Sequence, residues 1–162
     1  MKKQIATAIV AAQALLWLGY PSLAQQTQTI SNSDKQYLIK DASGSAYEFQ
    51  VAELGVQKAA RPITQQYALR LLDDHAKFNA QLMQLANRKR ITLPIEPSSQ
   101  DKSRLKRLMQ LNGTAFDNAF AKEMIRINQE DISDSKQEAN RTKDPDIQAF
   151  LNQFASTDQE HL

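Results

Sequence analysis

The sequence predicts an all-α protein, an antiparallel four-helix bundle with an additional short helix between the second and third long helices. Three observations carry that prediction. Apolar residues recur at three- and four-residue steps in four separate segments, the period at which side chains stack on one helical face. Proline-bearing joints separate those segments. No segment alternates apolar and polar residues at period two over a useful length, as a half-buried strand would.

The clearest segment runs from Ile63 to Leu93, where Leu71, Phe78, Leu82 and Leu85 form one stripe and His75 sits within it. His75 is therefore expected to face the core, with Asp74, turned about 100° from it, at the stripe's edge. The first helix is expected to start at Ser33 or Asp34, either of which can accept from a free first-turn amide. Its expected stripe is Leu38, Ala42, Ser45, Phe49, Ala52, Val56 and Ala59. Gly44 and Gly55 each weaken a helix by about 1 kcal/mol relative to alanine, a cost that a closely approaching neighbour helix offsets. Arg61 and Pro62 mark the turn into the second helix.

Ile91 to Ser99 contains Pro94 and Pro97 and reads as a connection across the bundle end. Ser99 is the expected cap of a short helix bearing Leu105, Leu108 and Leu111, which Gly113 ends or bends. The third long helix starts at Thr114, with Phe116, Phe120, Met124, Ile127 and Asp131 on its stripe. Asp144 and Pro145 open the last helix as a cap followed by a first-turn proline. Ile147, Phe150, Leu151 and Phe154 form its buried face, which extends to His161 in a final turn expected to fray.

Ahead of these helices, Lys2 and Lys3 precede an uncharged, mostly apolar run from Ile5 to Gly19, then Pro21 and the tripeptide Ser22, Leu23, Ala24. That is the layout of a secretory signal peptide, residues 1–24, cleaved near Ala24. Residues 25–33 read as a polar lead-in and residues 34–162 as one domain. The expected location is periplasmic or secreted. Removing 24 of 162 residues leaves 138, enough for a single core. The signal holds two of the 20 basic residues and none of the 18 acidic ones, so the remainder is formally neutral and gives no support for nucleic-acid binding. The chain has no cysteine, so its stability rests on packing. No transmembrane span is expected after the signal.

Several stretches together make the chain resemble the family known as domain of unknown function 4142, whose members are exported and often labelled outer-membrane proteins. They are EFQVAELGVQKA from Glu48 to Ala59, the Asp74-His75 pair within Ala68 to Leu85, GTAFDNAF from Gly113 to Phe120, Asp144-Pro145 and the terminal His161-Leu162. The resemblance covers Asp34 to Leu162 and implies a ferritin-like fold. Family members usually carry a histidine on the third long helix where this chain has Asn128.

Two readings of function follow. The first is an exported, non-enzymatic envelope component with a binding or stress-related role. The second is a bundle that holds a divalent metal through Glu48, His75 and His161, with Asp74, Asn128 or Asp131 as helpers. Di-iron bundles need a Glu-x-x-His pair on each of two helices. Leu72 stands three before His75 and Asp158 three before His161, so only one such pair survives, in altered form. Without a metal, His75 is expected to pair with Glu48 or another acid across the bundle, as a protonated couple whose stability falls as pH rises. There is no Gly-x-Ser-x-Gly elbow and no glycine-rich phosphate loop. Arg88, Lys89, Arg90, Lys102, Arg104, Lys106 and Arg107 could gather at one end and touch anionic envelope material.

Overall fold

The computed structural model describes residues 30–162, so the signal peptide, its cleavage near Ala24 and most of the lead-in lie outside the described residues. Five helices follow one another: α1 (Asn32–Lys58), α2 (Pro62–Lys89), α3 (Ser99–Met109), α4 (Gly113–Arg141) and α5 (Pro145–His161). No strand occurs among the described residues. α1 starts two residues earlier than expected because Ser31 is the cap, its hydroxyl accepting from the Asp34 amide at 3.0 Å. Ser98, one residue before the expected Ser99, caps α3 in the same way. Asp144 caps α5 as expected, accepting from the amides of Asp146 and Ile147.

α2 stops at Lys89 rather than Leu93. Arg90 turns into the left-handed region at φ 57°, and its amide and that of Ile91 bond back to the last carbonyls of the helix. Gly113, at φ +58°, opens α4 instead of closing α3.

α1 packs along α2, and α4 along α5; the two hairpins then meet through α1 with α4 and α2 with α5. Contacts at the ends fix the directions. The start of α1 lies by the end of α4 at the crevice of Asp34, Arg141 and Thr142. Lys89 at the end of α2 binds Asp144 at the start of α5 at 2.5 Å. At the opposite end, Asp117 near the start of α4 accepts from the amides of Ala60 and Arg61, both at 2.9 Å, in the turn between α1 and α2. Every neighbouring pair is therefore antiparallel. One long connection, residues 90–112, carries the chain from one end to the other, with α3 laid against α1. An antiparallel bundle with a single long crossover is the ferritin-like topology.

The apolar core falls into two parts. Leu38, Phe78, Leu82, Leu85, Ile147, Leu151 and Phe154 belong to one, near the start of α1. Val51, Leu71, Leu108, Phe116, Phe120, Met124 and Ile127 belong to the other. Gly55 shows why a glycine sits inside α1: a Cβ there would lie 2.7 Å from Ala68 Cβ and 2.7 Å from Phe120 Cε2. At Gly44 a Cβ would meet nothing within 4 Å, so close helix approach explains only one of the two glycines.

The expected stripe of α1 holds at Leu38, Ala42, Ser45 and Ala52, but Glu48, Val51 and Gly55 are buried in place of the expected Phe49, Val56 and Ala59, and Phe49 is half-buried in the wall of an outer cleft.

Candidate functional site: a polar layer inside the bundle

Each long helix switches from apolar to polar residues at the level between the two cores. α1 supplies Asp41, Ser45 and Glu48; α2 supplies His75; α4 supplies Asn128 and Asp131; α5 supplies Asp158 and His161. Glu48, His75, Asn128 and Asp158 are at most 2% exposed, and His161 is 7% exposed. The expectation that His75 and His161 both face the core holds, and Asp74 lies at the edge as expected. α5 stays helical through His161.

The structure brings Glu48 and His75 together, with Glu48 Oε2 3.2 Å from His75 Nε2. The approach lacks hydrogen-bond alignment, and both atoms, with His75 Nδ1, have no hydrogen-bond partner. The His161 ring centroid is 6.0 Å from that of His75. Its Nε2 meets Asp74 Oδ2 at 3.2 Å, and its Nδ1 lies 3.8 Å from Asp158 Oδ1. Tyr67 ties the end of α5 down by donating to the His161 carbonyl at 2.9 Å.

Asp158, on both carboxyl oxygens, and Asp131, Asp41 and Asn128, on one oxygen each, are likewise without partners. Buried polar atoms left unpaired cost about 1–3 kcal/mol each. Their concentration in one layer is the outstanding polar feature of the molecule.

The electrostatics follow from four carboxyls sharing a dry space. Burial, then the neighbouring Asp131 and Asp158, hold Glu48 well above the usual carboxylate range. Burial and Asp131 do the same to Asp41. Burial, with Asp134 and Glu130, pushes Asp131 up to about 7, and burial with Asp131 and Asp41 pushes Asp158 up to about 9. Burial, reinforced by the nearby His161, pulls His75 down to about 4.

The expectation of a protonated His75 is thus corrected. The neighbouring carboxyls retain protons while the imidazole stays neutral, because a dry interior disfavours every charged form. Stability therefore falls as pH drops from about 6.5 toward about 4, because over that range the unfolded chain takes up a proton that the buried ring does not. The loss of stability with rising pH comes instead from the raised carboxyls.

Two narrow crevices reach the layer. One of about 100 Å³, between α2 and α5, is lined by His75, Asp158 and His161. The other, of about 50 Å³ between α1 and α4, reaches Asp41, Glu48 and Asp131 beside Gly44.

A dinuclear metal centre of the kind found in ferritin-like bundles does not fit these residues. Leu72 occupies the position where a second Glu-x-x-His pair would need its carboxylate, and Asn128 adds no charge. Among the described residues, no three His, Asp or Glu side chains converge closely enough to ligate one ion as they stand.

A third cavity, outside the layer, was not foreseen from the sequence. It is an open cleft of about 690 Å³ between α1, α2 and the strap Ile91–Ile95, floored by Ala42, Leu82 and Ala86. Ser43 anchors the strap by donating to the Glu96 carbonyl at 3.0 Å.

The seven basic residues do not gather at one end. α3 runs along α1 until Met109, whose carbonyl accepts from Lys58 at 2.5 Å, so Lys106 and Arg107 are carried away from Arg88 and Arg90. Lys89, Lys102 and Arg104 are paired with Asp144, Glu96 and Asp101.

Topology and core together define a ferritin-like helical bundle protein. Within that class, the chain belongs to the family described as domain of unknown function DUF4142, whose model matches residues 20–162. Among solved structures, it is similar to a DUF305 fragment from Deinococcus radiodurans. The identity is 14% and the TM-score 0.72, over 82% of this chain and 91% of that one, a likeness of fold. No curated protein matches the sequence.

Proposed function

We propose that the protein acts after export as a non-enzymatic binding component of the cell envelope, taking a small amphiphile into the cleft between α1, α2 and the strap. The observation that carries this reading is the separation of space from chemistry. The titratable groups of the core lie behind crevices of about 50 and 100 Å³, whereas small-molecule pockets run to about 300–1,000 Å³. The cleft has that volume, but among the described residues Glu53 is the only ionisable side chain lining it. Glu53 there has no neighbouring ionisable group in the lining to act as its base or acid partner.

The lining suits a molecule with an apolar body and an uncharged polar end. Phe49, Leu82, Met83 and Ile91 offer apolar contact, and the amides of Gln50 and Asn87 offer hydrogen bonds. Glu53 disfavours an anionic head. Support for export comes from the leader pattern ending at Ala24, and no helix among the described residues is long and apolar enough to cross a membrane.

The test is binding of N-phenylnaphthylamine, a neutral apolar fluorophore, to the chain after signal removal. Saturable binding is expected. Ala46→Trp, which fills the cleft from α1, should weaken it at least about tenfold, equivalent to 1.4 kcal/mol. Absence of saturable binding, or equal binding by a folded Ala46→Trp variant, would overturn the proposal.

A further inference from the structure

We infer that Met83 is an oxidation site that regulates the cleft: peroxide converts its thioether to the sulfoxide, and the cleft then releases its amphiphile. The inference rests on the binding role proposed for that cleft and adds its regulation. Its first support is what the chain offers an oxidant. There is no cysteine, and the sole tryptophan, Trp17, lies in the leader pattern that ends at Ala24, so thioethers are the side chains most open to two-electron oxidation. Among the described residues these are Met83, Met109 and Met124. Met83 is 62% exposed and Met109 54%, whereas Met124 is 1% exposed within the second core. Of the two that a solute can reach, Met83 alone lines the cleft.

The step needs hydrogen peroxide and no other reactant. The sulfur lone pair attacks one peroxide oxygen, an S–O bond forms as the O–O bond breaks, and the departing hydroxide takes the proton of the transferred oxygen and leaves as water. Sulfur loses two electrons and the peroxide gains them. Reductases return the sulfoxide to the thioether, so the modification is reversible.

Position supplies the consequence. Met83 shares the apolar lining with Phe49, Leu82 and Ile91, and a flexible thioether there adapts to apolar bodies of different shape. The sulfoxide is a polar acceptor instead. Under an apolar ligand its oxygen loses its hydrogen bonds to water, which opposes binding. Asn87 stands four residues after Met83, hence on the same face of α2, and it also lines the cleft. The new oxygen therefore competes for the amide donor that Asn87 offers to the polar end of the ligand.

The experiment exposes the signal-free chain to hydrogen peroxide and then removes the oxidant. Peptide mass spectrometry reads the sulfoxide at each methionine, and N-phenylnaphthylamine fluorescence reads binding. Met83 and Met109 should oxidise well ahead of buried Met124, and binding should weaken at least about tenfold as Met83 is converted. Methionine sulfoxide reductases for the two epimers should restore it. Met109→Leu should respond to peroxide as wild type does. Met83→Leu is compared only with itself, and its affinity should be the same before and after peroxide. Oxidation of Met83 no faster than that of Met124, or a peroxide response retained in Met83→Leu, would overturn the inference. Absence of saturable binding before peroxide would bring down the cleft reading and this inference together, whereas binding that survives complete oxidation of Met83 would bring down this inference alone.

Discussion

Replacing Gly55 with alanine sets two local effects against each other, and the structure decides between them. Alanine favours a helix over glycine by about 1 kcal/mol. The new methyl would lie 2.7 Å from Ala68 Cβ, 2.7 Å from Phe120 Cε2 and 2.9 Å from Phe120 Cζ. Carbon atoms rest at about 3.5–4.0 Å, so the atoms in the way must retreat by roughly 0.6–0.8 Å or more. Ala68 Cβ cannot rotate away, so the backbone of α2 has to shift. Phe120 is fully buried, with Phe116 and Tyr67 at ring-centroid distances of 5.9 and 6.2 Å. Overpacking of this kind costs about 1–3 kcal/mol, and contact with an immovable methyl places it at the upper end. Gly55→Ala should therefore destabilise the bundle by about 1–2 kcal/mol net in urea unfolding followed by circular dichroism. Gly44→Ala is the internal control: its methyl meets nothing within 4 Å, so it should stabilise by about 1 kcal/mol. If Gly55→Ala proves as stable as Gly44→Ala, the close approach of α1 to α2 and α4 is wrong.

Three further outcomes follow from the same structure. Burial alone would raise the Asp117 pKa, but donors from the Ala60 and Arg61 amides and the Arg61 guanidinium outweigh it and hold the carboxyl low. Its contribution is present above about pH 3.9 and lost as pH falls through the folded value. Asp117→Asn should lower the thermal midpoint at pH 7 and flatten the acid limb of stability against pH. Asp158 behaves oppositely. Its proton is retained up to about pH 9 in the folded chain, so in chelator-treated protein stability falls as pH rises from about 4 toward that value. Asp158→Asn should remove part of that slope, and an unchanged slope would show that Asp41, Glu48 and Asp131 carry it. His75→Gln should leave stability nearly unaltered at pH 7, where the ring is neutral, and lessen the loss between about pH 6.5 and 4.

The bundle was legible because its signals are periodic and local. Leu71, His75, Phe78, Leu82 and Leu85 all face inward as their spacing requires, and Asp144-Pro145 opens α5 where the sequence places it. The end of α2 was not legible, because Arg90 takes a left-handed cap without the glycine that usually marks one. Nor was the drift of the α1 stripe, since Phe49 competes with Glu48 for the inward position, and hydrophobicity alone chooses the phenylalanine. His75 and His161 could be singled out as candidates because ionisable residues on apolar stripes are rare, and Glu48 because it adjoins Phe49 at the edge of one. Asp41 was missed, although it lies seven residues before Glu48 and so on the same face of α1. Charge states were beyond sequence reasoning: they depend on how many carboxyls from different helices share one dry layer.

The single crossover has a consequence for how the chain assembles. α1 with α2, and α4 with α5, are hairpins joined by three-residue turns, so each folds from contacts close in sequence, the kind that form quickly. Their docking is the nonlocal step, and the long tether with α3 needs only to span the distance between them. A backbone nick within residues 92–96 should therefore yield two fragments that recombine from separate solutions, each half bringing two walls of the polar chamber to the other.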